Sequence, residues 1–384
     1  MIRRSVPILC ALAGVLPAYA SQRAVVSDDL RAHPINTLLM LSDSGVEIED
    51  DVSSVRRLNA GTLLGVTQTG KRAVSPTPGF GWIELVDGQR YVGRSAERAS
   101  EDESIAWDHR DFGVLWIPLE SVLRVSPAGE SPARARENAP ISDRVYLTNG
   151  DVLTGYLVRA GAEFAVETDS GELSVAPAGL VSLARLANPA SDPEGVYLWT
   201  NDGSVFAAES VMDLTGERVQ VVLRSGESAA LEVSQILGVA FAAERYMPLA
   251  SLEPHTTLPR SRRWSREASA SPAPGGLDAP LLFAPDITIP GAMTLRWSLP
   301  RGAVRFGATA VMPPSAFPWG DCEVVVRSGG DIVQRARLNE ESPSVEINVD
   351  LVSADLQIEV LSGANGDVHD EVTLIAPLIL LDER

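Results

Sequence analysis

At 384 residues the chain is long enough for two or three domains. Its net charge of −19 argues against a nucleic-acid partner, because counter-ion release from phosphates needs a basic face. Arginine supplies nearly all the positive charge, since Lys71 is the sole lysine. The 45% apolar content is that of an ordinary globular protein.

The chain opens with Arg3 and Arg4, an apolar run Val6–Leu16 and the small-residue triplet Ala18-Tyr19-Ala20. That is the three-part form of a secretory leader cleaved near Ala20. The apolar run is shorter than the ~20 residues of a spanning helix. The expectation is a secreted or periplasmic protein with no membrane span after cleavage. Cleavage removes Cys10 and leaves Cys322, so no internal disulfide can form and stability must come from burial. Cys322 adjoins a Val-rich strand and is expected in the core.

Residues 21–77 show only scattered strand signals, at Leu38–Leu41 and Thr62–Val66, and read as an early repeat or a lead-in. The Pro/Gly cluster Ser75–Gly79 marks a boundary. Three similar units follow, at 78–129, 143–188 and 194–254. Each opens with an apolar strand running into Asp87-Gly88, Asn149-Gly150 or Asp202-Gly203. Such pairs favour positive φ and mark tight hairpins. Each unit closes on an apolar strand, a short turn and further apolar residues. Units of about 50 residues with four or five short strands predict SH3-like or Sm-like small β-barrel repeats.

A linker is expected over 255–276, where Arg260, Arg262, Arg263 and Arg266 surround Trp264. It reads as a solvated connection or as a basic patch for an anionic glycan. From 277 to 384 the pattern alternates with period 2. Leu295, Trp297 and Leu299 share one face, then Val304, Phe306, Ala308 and Ala310, then Val345, Ile347, Val349 and Leu351, then Leu356, Ile358 and Val360. Pro300-Arg301-Gly302, Gly329-Gly330-Asp331 and Ser353-Ala354-Asp355 supply turns, and the apolar run Val372–Leu381 is interrupted by Pro377. The whole chain is therefore expected to be all-β, ending in a β-sandwich.

Several phrases of this last region resemble a known family. Leu299–Gly302 with Phe306, Ala310-Val311-Met312, Val324-Val325-Val326, Val349–Leu356 and Gly363–Asp370 follow, in order, the motifs of the NPCBM family of carbohydrate-binding modules. The stretch Arg245–Pro254 resembles the lead-in to such modules in secreted planctomycete-type proteins. The resemblance covers about Gly275–Asp382. It implies a galactose-binding-like jelly roll that binds carbohydrate. Two family features are replaced: Asp286–Pro290 lacks the family's histidine, and its final tryptophan is absent.

No Gly-x-Ser-x-Gly elbow, phosphate loop or His-Glu-x-x-His is present, and His33, His109, His255 and His369 are scattered, so no enzyme is expected. A pyranose needs an aromatic platform and nearby polar groups. Trp297 alternates with leucines and is assigned to the core. Phe317 and Trp319, in the Pro-rich loop 313–320, are the candidate platform. Asp367, His369 and Asp370 are candidate sugar-binding groups, and Asp367, Asp370 and Glu371 offer oxygen ligands for Ca²⁺. No other cofactor is implied. The expected function is a secreted, non-catalytic protein whose C-terminal module binds a polysaccharide or glycoconjugate. The alternative is a cell-envelope protein whose sandwich has lost its sugar site and instead contacts another envelope protein.

Overall fold

The computed structural model describes residues 22–49, 54–69, 79–96, 103–127, 140–168, 170–257, 269–270, 284–317, 319–364, 366 and 369–382. Residues 1–21, where a leader is expected, and most of the boundary and linker stretches lie outside them. The described residues form β-strands and single-turn 3-10 helices, with no α-helix, hence none long and apolar enough to cross a membrane.

Four small barrels come first. Barrel 1 contains β1 (Gln22–Ser27), β2 (Ala32–Ile35), β3 (Thr37–Ser42), β4 (Gly45–Glu49), β5 (Val55–Asn59) and β6 (Leu63–Thr69). Barrel 2 contains β7 (Gly81–Leu85), β8 (Arg90–Ser95), β9 (Ser104–His109), β10 (Gly113–Pro118) and β11 (Val122–Ser126). Barrel 3 contains β12 (Asp143–Leu147), β13 (Val152–Arg159), β14 (Glu163–Glu167), β15 (Leu173–Pro177) and β16 (Val181–Arg185). Barrel 4 contains β17 (Val196–Thr200), β18 (Val205–Asp213), β19 (Arg218–Leu223), β20 (Ser228–Glu232) and β21 (Ile236–Ala240).

All four share one plan. The first strand pairs with the last, the second bends to serve two neighbours, and a 3-10 turn precedes the last strand. In barrel 1 that bent second strand is broken at Asn36 into β2 and β3. The turn glycines Gly88, Gly150 and Gly203 have φ of +85°, +95° and +95°, which is why glycine follows Asp or Asn there. Residues 22–69, ambiguous in sequence, are thus a further barrel. Their first turn carries no Asn-Gly or Asp-Gly pair; Leu30 takes the positive φ, +57°.

The barrels join edge to edge. The last strands of barrels 1 and 4 pair with each other (β6–β21), as do those of barrels 2 and 3 (β11–β16), while Val205 of barrel 4 pairs with Arg90 of barrel 2. A strand that is central rather than at an edge is buried on both faces, and β16 and β21 are buried at every residue.

The sandwich follows. It contains β22 (Tyr246–Pro248), β23 (His255–Thr257), β24 (Ser269–Ala270), β25 (Ile287–Ile289), β26 (Met293–Ser298), β27 (Ala303–Val311), β28 (Cys322–Ser328), β29 (Asp331–Leu338), β30 (Ser344–Asp350), β31 (Asp355–Ser362) and β32 (Val372–Leu381). One sheet runs β24-β25-β32-β27-β30 with β22 also on β32; the other runs β23-β26-β31-β28-β29. Trp297, Phe306, Leu356, Ile358 and Cys322 fill the space between them. Two spans therefore differ from their sequence assignment. Tyr246–Pro248, placed in the third unit, and His255–Thr257, placed in the linker, are edge strands of the sandwich. Each is too short to show a period.

The sandwich packs on barrels 1 and 4 through a shared core that includes Leu30, Trp199, Tyr246, Ala376, Leu378 and Leu380. Arg305 Nη1 donates to the Asp28 carbonyl at 3.0 Å, and Asn348 Nδ2 donates to that of Asp29. Arg31 pairs with Glu346 at 2.6 Å. The consecutive apolar residues Leu378–Leu381 of β32 follow from this arrangement, because barrels cover its outer face at Ala376, Leu378 and Leu380. Pro377 sits beside a bulge where Ala376 has φ +45° and its N–H bonds Asp286 at 2.9 Å. At a bulge the missing N–H of proline costs no ladder bond.

Candidate functional site

The two loops singled out in sequence meet at one end of the sandwich. A 3-10 turn over Pro314–Ala316 carries the chain from β27 toward β28. Gly320 N–H closes it by donating to Ala316 O at 2.6 Å. Gly320 must be glycine: a Cβ there would lie 2.6 Å from Met312 Sδ and 2.8 Å from the His369 carbonyl. That contact places the Pro-rich loop against the loop preceding β32.

The two aromatics separate in role. Phe317 is half-buried and packs on the sandwich core, whereas Trp319 is 63% exposed. Trp297 is fully buried, as its alternation required.

Two residues after Trp319 stands a group that the sequence did not reveal. Asp321 is buried and accepts two bonds from Arg337, Nε to Oδ1 at 2.6 Å and Nη2 to Oδ2 at 2.7 Å. Ala364 N–H donates to Oδ2 at 2.9 Å, and Gly363 N–H to the Asp321 carbonyl at 2.7 Å. Arg337 first, and the Ala364 N–H after it, hold the Asp321 carboxyl below the usual carboxylate range. The pair thus ties β29 and the loop after β31 to the foot of the Trp319 loop. Its residues are distant in sequence, and only the alternation that turns Arg337 outward on β29 hinted at it.

The acidic loop is not a uniform ligand surface. Asp370, a candidate sugar and Ca²⁺ ligand, is 1% exposed and enclosed beside Cys322. Burial, helped by the charges of Asp370 and Asp321, pushes the Cys322 thiol up to about 12, so it stays protonated and inert. His369 is exposed with φ +62°, and Glu371 is half-buried. Asp367 lies outside the described residues.

A second polar cluster sits where barrels 2 and 4 meet. His109 Nε2 and Ser204 Oγ are 3.2 Å apart and both residues are buried. Among the described residues, His109, Asp111 and Asp202 are the only three potential metal ligands whose atoms lie within 4.8 Å of one another. The hydrogen bonds oppose both chemistries. His109 Nδ1 accepts the N–H groups of Asp111 at 3.1 Å and Phe112 at 3.4 Å, which places the ring proton on Nε2. Nε2 therefore donates to Ser204 Oγ and cannot act as its base. Neither nitrogen keeps an open lone pair for a metal. Ser204 Oγ also accepts Val92 N–H at 3.1 Å, so the cluster works as a clasp between barrels.

No family model matches the chain, and no curated protein matches it. Solved structures that resemble it include carbohydrate-binding modules and an exo-beta-1,3-galactanase from Phanerochaete chrysosporium. A CBM51 module from Clostridium perfringens GH95, in complex with methyl-galactose, is 11% identical, over 35% of this chain and 99% of that one, with a TM-score of 0.29. CBM51-2 with INT domains from Clostridium perfringens ZmpB, in complex with GlcNAc, is 12% identical, over 48% of this chain and 43% of that one, at 0.30. The tandem CBM51 modules of a family 98 glycoside hydrolase from Streptococcus pneumoniae SP3-BS71 are 9% identical, over 94% and 100%, also at 0.30. At these values the likeness carries no conclusion about a ligand.

Proposed function

We propose that the chain is a secreted or periplasmic, non-catalytic protein whose terminal sandwich binds a polysaccharide or glycoconjugate. The observation that carries this reading is Trp319. A large aromatic is 63% exposed on a loop braced by Gly320 and by the Asp321–Arg337 pair. Exposing an indole forfeits burial, and an apolar pyranose face restores it. His369 on the adjoining loop supplies a polar partner, and Phe317 anchors the same loop on the sandwich core. The non-catalytic part rests on the missing motifs and on the His109 tautomer.

The alternative, an envelope protein-contact module without a sugar site, is favoured by one observation, the burial of Asp370. A glycan array probed with the whole chain separates the two. The sugar reading expects a bound glycan whose signal Trp319→Ala abolishes, with no release of reducing ends on incubation. A folded chain that binds no glycan, or binds equally well without Trp319, overturns it.

A further inference from the structure

The two barrel pairs each enclose a cleft of about 760 Å³, and the clefts are equivalent. In one pair Val25 lies opposite Val66 and Val66 opposite Val239; in the other Val145 lies opposite Ala184 and Ala184 opposite Val125. Both clefts lie between the bend of one barrel's second strand and the 3-10 turn of its partner. The lips match too, since Val233 N–H donates to Glu217 O and Leu119 N–H to Glu103 O, both at 2.8 Å.

Their charges do not match. The cleft between barrels 1 and 4 is lined by Arg23, Arg218, Glu217 and Glu232, two cations against two anions. By register Arg23 becomes Asp143 and Arg218 becomes Ser104 in the other cleft. There Glu103, Glu120, Asp143 and Glu167 line the walls, with no Lys or Arg among the described lining residues. Arg23 Nη2 donates to Val233 O at 2.6 Å. Its counterpart acceptor, Leu119 O, is bonded by the neutral Asn188 Nδ2 at 2.8 Å. The carbonyl is satisfied, while no described lining residue replaces the positive charge. Tyr156, in the position of Asn36, is 63% exposed beside these acids and offers a π-face to a cation. Glu103 has φ +68°, an uncommon backbone state for such a residue.

We infer that the cleft between barrels 2 and 3 docks the arginine-rich stretch 258–268 of a second copy of this chain. That stretch holds four arginines against one glutamate, plus Trp264. It is flanked by β23 and β24 of the sandwich, which packs on barrels 1 and 4, so cleft and stretch belong to different modules. The contact is head-to-tail, and repetition builds a chain of copies rather than a closed dimer.

The test uses a fluorescein-labelled synthetic peptide of residues 258–268 and the whole chain. Binding is expected at low salt, weakening as salt rises. The variant Glu103→Gln/Glu120→Gln/Glu167→Gln should bind about tenfold more weakly, the sum of three rim ion pairs. A peptide with its four arginines replaced by alanine should not bind. Sedimentation should show concentration-dependent association of the whole chain, absent in the glutamine variant and in a chain with the same four arginines replaced. Mixing those two variants should restore dimers and nothing larger, since one intact cleft meets one intact stretch. Peptide binding indifferent to the glutamates, no binding at low salt, or a wild-type chain that stays monomeric overturns the proposal.

Discussion

Two tryptophans of the sandwich show how position sets a residue's task. Trp297 fills the core, so Trp297→Ala should cost about 3–5 kcal/mol of folding stability through lost burial and a residual cavity. Trp319 faces solvent, and Trp319→Ala should change stability by only about 0.5 kcal/mol while removing glycan binding. Denaturant melts of the pair check this, and equal destabilisation would overturn the assignment of roles. Asp321 has a pH signature. Its folded pKa lies below the ordinary aspartate value of 3.8, so the bridge contributes in full above that value and is lost as pH falls through the lower, folded pKa. Asp321→Asn should therefore melt below wild type at neutral pH, and the two curves should converge in acid as pH falls through the lowered folded pKa. Curves that stay parallel into acid would mean that the carboxylate charge is irrelevant.

Among the elements, the repeated strands are held by local devices and by the clasp at His109. Burial lowers the His109 pKa from 6.5, against smaller opposing effects of Asp202 and Asp111. A neutral buried histidine contributes fully above the unfolded pKa. As pH falls below 6.5 the unfolded chain takes up protons that the folded chain resists, so stability declines. Replacing His109 with Gln should flatten the pH dependence of melting between neutrality and the mildly acidic range; an unchanged slope would refute the clasp. Within barrel 4, Gly238 passes under the Trp199 ring, where an added Cβ would meet Cζ2 at 2.1 Å. Gly238→Ala should cost about 1–3 kcal/mol by overpacking, measurable as a lowered unfolding midpoint. The sequence marks neither position. Gly238 looks like a loose strand residue, and His109 like one of four unrelated histidines.

The whole molecule is five modules sharing edges and cores. The sandwich borrows β22 and β23 from the connection after barrel 4, and barrel 1 covers part of its outer face through Leu30. Gly307 leaves room for that contact, since a Cβ there would come within 2.7 Å of Leu30 Cβ. A fragment spanning 277–384 should then melt well below one spanning 243–384, because it lacks three strands, β22, β23 and β24, and exposes the unpaired flank of β32. Equal melting would show that the borrowed strands are dispensable.

The sequence by itself determined the all-β class, the three hairpins at Gly88, Gly150 and Gly203, and most strands of the sandwich. Those features rest on period 2 and on turn residues with positive φ, both of which are local. It also pointed to the Trp319 loop, because an aromatic among prolines and glycines has no strand to hide it. Only the tertiary structure decided that residues 22–69 form a barrel, that Asp370 is buried, and that Asp321 and Arg337 brace the site. It alone showed that Arg23 and Asp143 hold equivalent places in two clefts. Each of these depends on which strand lies beside which, and pairing between distant segments leaves no mark on local periodicity.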